Sequence, residues 1–212
     1  MQIQVTAASK RFNTEWIFSN LDFSFTTGQH YALIGNNGSG KSTLLQVIAG
    51  YIGLTKGAIH WTSKTGEAID SANIFQYISI AAPYLELVEE FTALEQIAFH
   101  QQFKPLQNGL QPVELLEKIG LGNAANKQIR NFSSGMKQRL KLALAIFDQA
   151  PILLLDEPCS NLDQEGIQTY HQLMQAHAMH KLIIIGSNDT QEYDYCTKHI
   201  NLLDYKVAGN NN

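Results

Sequence analysis

Residues 35–43 read Gly-Asn-Asn-Gly-Ser-Gly-Lys-Ser-Thr, a run in which small residues lead to one lysine and two hydroxyls. The glycines let the backbone of Gly35, Asn36, Asn37, Gly38, Ser39 and Gly40 curl so that successive N–H groups point inward, where they hold an anion. A helix starting near Lys41 adds the positive end of its dipole. In that geometry Lys41 reaches the β- and γ-phosphates of a nucleoside triphosphate. Ser42 offers its hydroxyl to a bridging magnesium ion, and Thr43 adds a phosphate contact. The flanks agree with this Walker A reading: Tyr31-Ala32-Leu33-Ile34 has a buried-strand pattern, and Leu44 to Ala49 has helical apolar spacing closed by Gly50.

Further along, Leu153-Leu154-Leu155-Asp156-Glu157-Pro158 is an apolar strand ending in two adjacent carboxylates, the form of a Walker B segment. Asp156 is placed to hold the magnesium, directly or through water, while Glu157 faces the γ-phosphate and polarises the attacking water as general base. Taken alone the pair reads equally as a solvated acidic turn; the phosphate loop upstream decides for the chemical reading. A third segment, Asn131 to Arg139, precedes the helical run Leu140 to Ile146. Ser133 is a candidate N-cap, and its hydroxyl with the free N–H groups of Ser134, Gly135 and Met136 forms a second anion site. That second site has no use for a phosphate already held by Lys41.

The elements that must position these groups are an α/β set. Alternation in Ile3-Gln4-Val5 and Leu21 to Phe25, with a turn at Thr27-Gly28, predicts an antiparallel N-terminal sheet beside a parallel core. Ala58-Ile59-His60-Trp61, the turn at Lys64-Thr65-Gly66 and Ala68-Ile69 continue it as a hairpin. From about 85 to 150 strand signals vanish, and Leu94, Ile97 and Ala98, then Val113, Leu115, Leu116 and Ile119, are spaced for helices; this predicts an inserted helical lobe. Strand 152–155, a helical stretch from Gln164 to His177 and strand 182–185 then predict parallel strands with a crossover helix. Residues 1–212 read as a single domain, with a polar tail at Asn210 to Asn212.

With 212 residues there is room for one sizeable α/β domain and one nucleotide site. A formal charge of −4 and a pI near 5.9 lack the basic excess of a nucleic-acid binder, so none is expected as partner. Cys159 and Cys196 are too few for a disulfide scaffold, which favours a reducing compartment. The longest apolar runs, Ile152 to Leu155 and Leu182 to Ile185, fall far short of the ~18 residues that cross a bilayer, so any membrane role is expected to come through a partner.

With these three motifs in order, the chain resembles the nucleotide-binding subunit of ATP-binding cassette (ABC) transporters: a P-loop NTPase core whose cofactors are ATP and Mg2+. Ser133-Ser134-Gly135-Met136-Lys137-Gln138-Arg139 resembles the family signature Leu-Ser-Gly-Gly-Gln, which the resemblance assigns to the γ-phosphate of ATP on a second protomer. It implies a head-to-tail homodimer or paired cassette, a separately encoded transmembrane permease, and a peripheral position on the cytoplasmic face of the membrane. Ser160-Asn161-Leu162-Asp163 resembles the D-loop, with Asp163 near the opposite protomer's Walker A. Phe12 is the candidate for stacking on adenine, with a core phenylalanine as the equal alternative. Tyr84 to Phe91 reads either as the docking surface for the permease or as a surface loop.

The chain departs from the family pattern in three places. The glutamine between core and helical lobe is replaced by Ala82 or Pro83, and Gln76 falls before the strand, not after it. The switch histidine is replaced by Asn188, which donates through its amide but carries no proton. The signature has Phe132 for leucine, Ser134 for the first glycine and Met136 for glutamine; Ser134 fits if its dihedrals are helical. Binding groups therefore persist while groups expected at the transition state are lost, which predicts slow hydrolysis. Two readings stay beside the transporter subunit: a soluble non-transport relative acting in translation or DNA repair, and a nucleotide-sensing regulator with very slow hydrolysis.

Overall fold

A computed structural model describes residues 1–206; the Asn210 to Asn212 tail lies outside them. The chain runs β1 (Gln2–Phe12), β2 (Glu15–Thr26), β3 (His30–Ile34), α1 (Lys41–Ile48), β4 (Lys56–Thr62), β5 (Ala68–Ile69) and β6 (Ile78–Ala81). It continues through α2 (Ala93–Gln101), α3 (Pro112–Lys118), α4 (Ser134–Phe147), β7 (Ile152–Asp156), α5 (Gln164–His177), β8 (Leu182–Gly186) and β9 (Lys198–Asn201). Five strands form a wholly parallel sheet in the order β6-β7-β8-β3-β9, and four form an antiparallel sheet in the order β2-β1-β4-β5. The mixed α/β fold class expected from the sequence is the one observed.

Burial in the parallel strands sets the layers. Leu153, Leu155, Ile183, Ile185 and Ala32 face one core, shared with α4 and α5, while Ile152, Leu154, Leu182, Ile184, Tyr31 and Leu33 face the other, shared with α1 and the antiparallel sheet. Because successive side chains of a strand point to opposite faces, a strand buried on both sides is apolar throughout, which is why these segments show no polar alternation.

The helices of the middle segment start where their caps dictate. Thr92 and Glu95 form a reciprocal capping box, Thr92 Oγ1 accepting the Glu95 N–H at 3.2 Å while Glu95 Oε2 accepts the Thr92 N–H at 2.8 Å. Pro112 occupies the first turn of α3, where its missing N–H costs nothing. Leu142 to Phe147 of α4 are all buried and share one continuous core with β7, β8 and α5. The end of α4 thus belongs to the sheet packing while its beginning reaches the turn after β7.

Candidate functional site

The phosphate loop leaves β3 at Ile34 and enters α1 at Lys41. Gly40 adopts φ +108°, and a Cβ there would lie 2.6 Å from Ile17 Cγ2, so glycine alone lets the loop pass beneath β2. The turn is closed by the Ser39 N–H donating to Asn36 O at 2.9 Å, and α1 begins with the Leu44 N–H donating to Gly40 O at 2.8 Å. Lys41 lies buried in this cradle, its Nζ donating to Gly35 O at 2.7 Å, Asn188 Oδ1 at 3.1 Å and Asn36 O at 3.4 Å. Burial holds its pKa below the ordinary lysine value, against the pull of Glu157 and then Asp156.

Asp156 ends β7 directly opposite Gly186 of β8 and is 2% exposed. Burial pushes its carboxyl above the usual range; the Ser42 hydroxyl works against that, Glu157 adds to it and Lys41 opposes it. Asp156 Oδ1 is buried without a hydrogen-bond donor. A buried carboxylate oxygen lacking a donor, beside a serine hydroxyl, is an all-oxygen pair suited to a hard divalent cation, so these residues fit the magnesium ion the family implies.

Glu157 has φ +45°, in the left-handed region that non-glycine residues rarely occupy, and its N–H donates to Gly186 O at 2.9 Å. Such a backbone costs on the order of 1–3 kcal/mol and persists only where its surroundings over-determine it. The strain turns the carboxylate away from the strand and into a cavity of 400 Å³ that Lys41, Ser42, Thr43, Asn37 and Gly38 also line. Phe12 stands at the same cavity, 46% exposed, with Lys10 Nζ 4.8 Å from its ring centroid. It is therefore not a core phenylalanine, and its ring shares this cavity with the phosphate loop.

The segment expected to form a second anion site lies elsewhere, and the Met136 N–H, expected to be free, is taken up by the Ser133 hydroxyl. Ser133 caps α4, its Oγ accepting the Met136 N–H at 3.2 Å, and Ser134 is the first helical residue, so its hydroxymethyl is accommodated. Asp163 caps α5, Oδ1 accepting the Gly166 N–H at 2.8 Å. None of Ser133, Ser134, Gly135 and Asp163 lines the 400 Å³ cavity, so the fold of one chain brings the Walker residues together and leaves this group apart from them. Gly135 packs against the D-loop segment of its own chain, where a Cβ would come within 3.0 Å of Asn161 O.

The departures at the glutamine and histidine positions have distinct surroundings. Ala82 is 1% exposed and its side chain offers no polar atom, while Gln76 lines a larger cavity of 880 Å³ at the opposite ends of the parallel strands. Tyr84, two residues on, has its hydroxyl pushed up to about 12 by burial and by Asp156, with a Gln46 hydrogen bond acting against both. Asn188 is fully engaged: its Oδ1 accepts from Lys41, and its Nδ2 donates to Asn37 Oδ1 at 2.8 Å.

Three contributions to the site were not read from the sequence. Gly186 leaves room for the site, since a Cβ there would lie 3.2 Å from Asp156 Oδ1 and 3.3 Å from Lys41 Cβ. Lys206 Nζ donates to Gly38 O at 3.1 Å, bracing the loop from the far end of the described chain. Gln138 of α4 donates through Nε2 to Pro158 O at 2.7 Å, both groups buried. Only Gly186 had a visible signal, a glycine ending an apolar strand; the other two contacts join segments far apart in sequence.

The family model for ABC transporter matches residues 18–160. The chain is 30% identical over 191 residues to the ABC transporter ATP-binding protein YybJ of Bacillus subtilis, covering 90% of this chain and 87% of that protein. It is 28% identical over 207 residues to the lantibiotic transport ATP-binding protein SrtF of Streptococcus pyogenes, covering 95% and 86%. It is also 33% identical over 165 residues to the cytochrome c biogenesis ATP-binding export protein CcmA of Xanthomonas campestris, covering 78% and 76%. Among solved structures, the ATP-binding cassette MJ0796, a dimer in a post-hydrolysis state bound to ADP and Pi, has the same fold: TM-score 0.81, 21% identity, covering 98% of this chain and 97% of that one.

Proposed function

Because this chain belongs to the ABC transporter family of ATP-binding cassettes, we propose that it is the ATP-hydrolysing subunit that drives a separately encoded transmembrane permease. The observation that carries the reading is the division of the site within one chain. The groups suited to phosphates and general base line one cavity, and the groups suited to a second anion contact, Ser133 to Gly135, do not. A site so divided is completed by a second cassette docking head to tail, identical or paired.

In this reading the N–H groups of residues 36–40 and Lys41 bind and orient the triphosphate of ATP, and Phe12 stacks on the base. A magnesium ion held by Ser42 and Asp156 would neutralise charge on the β- and γ-phosphates. Glu157 takes a proton from the water whose oxygen bonds to the γ-phosphorus; the bond to the β–γ bridging oxygen breaks, and ADP and phosphate leave. Asn188 donates to the γ-phosphate through Nδ2 once that nitrogen leaves Asn37. Turnover is slow in the isolated protein, because Ala82 has no polar side chain for the water and Asn188 carries no proton. The cassette sits on the cytoplasmic face of the membrane through its permease; among the described residues no helix is long and apolar enough to cross a bilayer.

Glu157→Gln tests both halves of the reading. It is expected to abolish phosphate release and to leave an ATP-stabilised dimer on size-exclusion chromatography; wild-type turnover in the variant removes Glu157 from the mechanism. The same variant with ATP, tagged and recovered from detergent-solubilised membranes, is expected to carry a polytopic membrane protein in stoichiometric amount. Recovery of soluble partners alone shifts the reading to a non-transport ABC ATPase or a nucleotide sensor.

A further inference from the structure

Glu192 lies in the single helical turn Thr190–Glu192 after β8, and no step above uses it. It is 4% exposed, and its Oε1 accepts the N–H of Cys159 at 2.7 Å. Cys159 sits inside the turn that begins at Glu157 (φ +45°) and reaches Asn161 (φ +65°), two non-glycine residues in the left-handed region. Within the turn, the Ser160 N–H donates to Glu157 O at 3.1 Å and the Leu162 N–H to Cys159 O at 3.0 Å. A strained turn of this kind keeps its shape only through attachments to its surroundings. The Glu157 N–H on Gly186 O and Gln138 on Pro158 O hold its first two residues, and Glu192 holds the third.

Glu192 is itself anchored. Its N–H donates to Asp189 O at 3.1 Å, and its carbonyl accepts from the Tyr170 hydroxyl at 2.8 Å, which also meets the Tyr195 hydroxyl at 2.6 Å. A buried carboxylate is costly unless its bonds are needed where it stands. This one joins the turn carrying Glu157 to the segment carrying Asn188, four residues before it in the chain.

We propose that Glu192 is a positioning residue for hydrolysis: by accepting the Cys159 N–H it holds Glu157 in register with the segment after β8. The inference rests on the hydrolytic reading above. It also ties the D-loop segment to both, so that displacement of Asn188 is felt at Glu157 through one side chain.

The test compares Glu192→Ala and Glu192→Gln with the wild type in ATP turnover, ADP affinity and amide hydrogen exchange of residues 157–163. Alanine is expected to lower kcat by about tenfold or more and to speed exchange at the Cys159 amide by a similar factor, with ADP affinity within about threefold. Glutamine, whose amide oxygen accepts the same N–H, is expected to restore both. Wild-type kcat and exchange protection in the alanine variant overturn the proposal. So does a glutamine variant as impaired as alanine, or a loss of ADP affinity matching the loss of kcat. If the wild type itself does not turn over, the hydrolytic reading falls, and the exchange comparison alone decides whether Glu192 holds the turn. Should the alanine variant not fold, Tyr170→Phe, which removes only the hydroxyl bonded to the Glu192 carbonyl, is expected to lower kcat with ADP affinity kept; unchanged kcat overturns the proposal.

Discussion

Lys41 shows what the amide of Asn188 can and cannot do. The ammonium is satisfied by two loop carbonyls and the Asn188 oxygen, and the amide nitrogen of the same side chain is taken up by Asn37. In the proposed reading an incoming γ-phosphate takes Lys41 from the Asn188 oxygen and the Asn188 N–H from Asn37. A protonated imidazole at position 188 would make no bond to the lysine and would carry a proton to the phosphate. Asn188→His is therefore expected to raise phosphate release at saturating ATP by between about tenfold and the 10²–10³ attached to a single transition-state hydrogen bond. A rate unchanged from wild type shows that the asparagine is an adequate donor or that another step limits.

At the scale of elements, α4 connects the capped segment at Ser133 to the turn after β7. Its first turn carries Ser133 to Gly135, its last two turns are locked into the core against β7, β8 and α5, and between them Gln138 reaches the turn beyond β7. The contact ties α4 to Pro158, adjacent to Glu157. Gln138→Leu keeps the volume but leaves the buried Pro158 carbonyl unbonded, a penalty of about 1–3 kcal/mol. The expected result is a melting temperature lower by roughly 2–4 °C for each kcal/mol lost. A melting temperature equal to wild type by differential scanning calorimetry would show that the carbonyl finds another donor.

Across the whole molecule, the helical side is fastened to the sheet by a buried charged cluster far from the nucleotide cavity. Lys181, just before β8, is 0% exposed and donates to Asp148 O at 2.5 Å; the Asp148 carboxylate lies 3.6 Å from Lys104 and 3.7 Å from His100 of α2. Burial pulls the Lys181 pKa down to about 8, with Asp148 resisting and Lys104 assisting. The folded state thus loses this proton near pH 8 while the unfolded chain keeps it up to the ordinary lysine value of about 10.4. In that window the unfolded state binds more protons, so stability contributed at this position rises with pH; below about 8 both states are charged and the penalty is constant. Relative to Lys181→Met, the wild type is expected to gain stability between pH 8 and 10 in urea titrations. A stability difference that stays flat across that window would show that the ammonium is not held in a desolvated site.

Sequence alone determined those features in which neighbours in the chain are neighbours in space: the glycine loop entering α1, the Asp156-Glu157 strand end, and the cap at Ser133. It also determined the fold class, because strands buried on both faces and helices with one apolar face differ in period. Tertiary structure alone decided which groups meet across distance. It set Asn188 against Lys41, Gln138 against Pro158, Glu192 against Cys159 and Gly186 between Lys41 and Asp156. It also placed Ser133 to Gly135 outside the cavity of their own chain. The physical reason is that a hydrogen bond between residues tens of positions apart leaves no periodic trace in either segment. Such a bond depends on strand order and on the approach of α4 to β7, which packing of the whole chain sets.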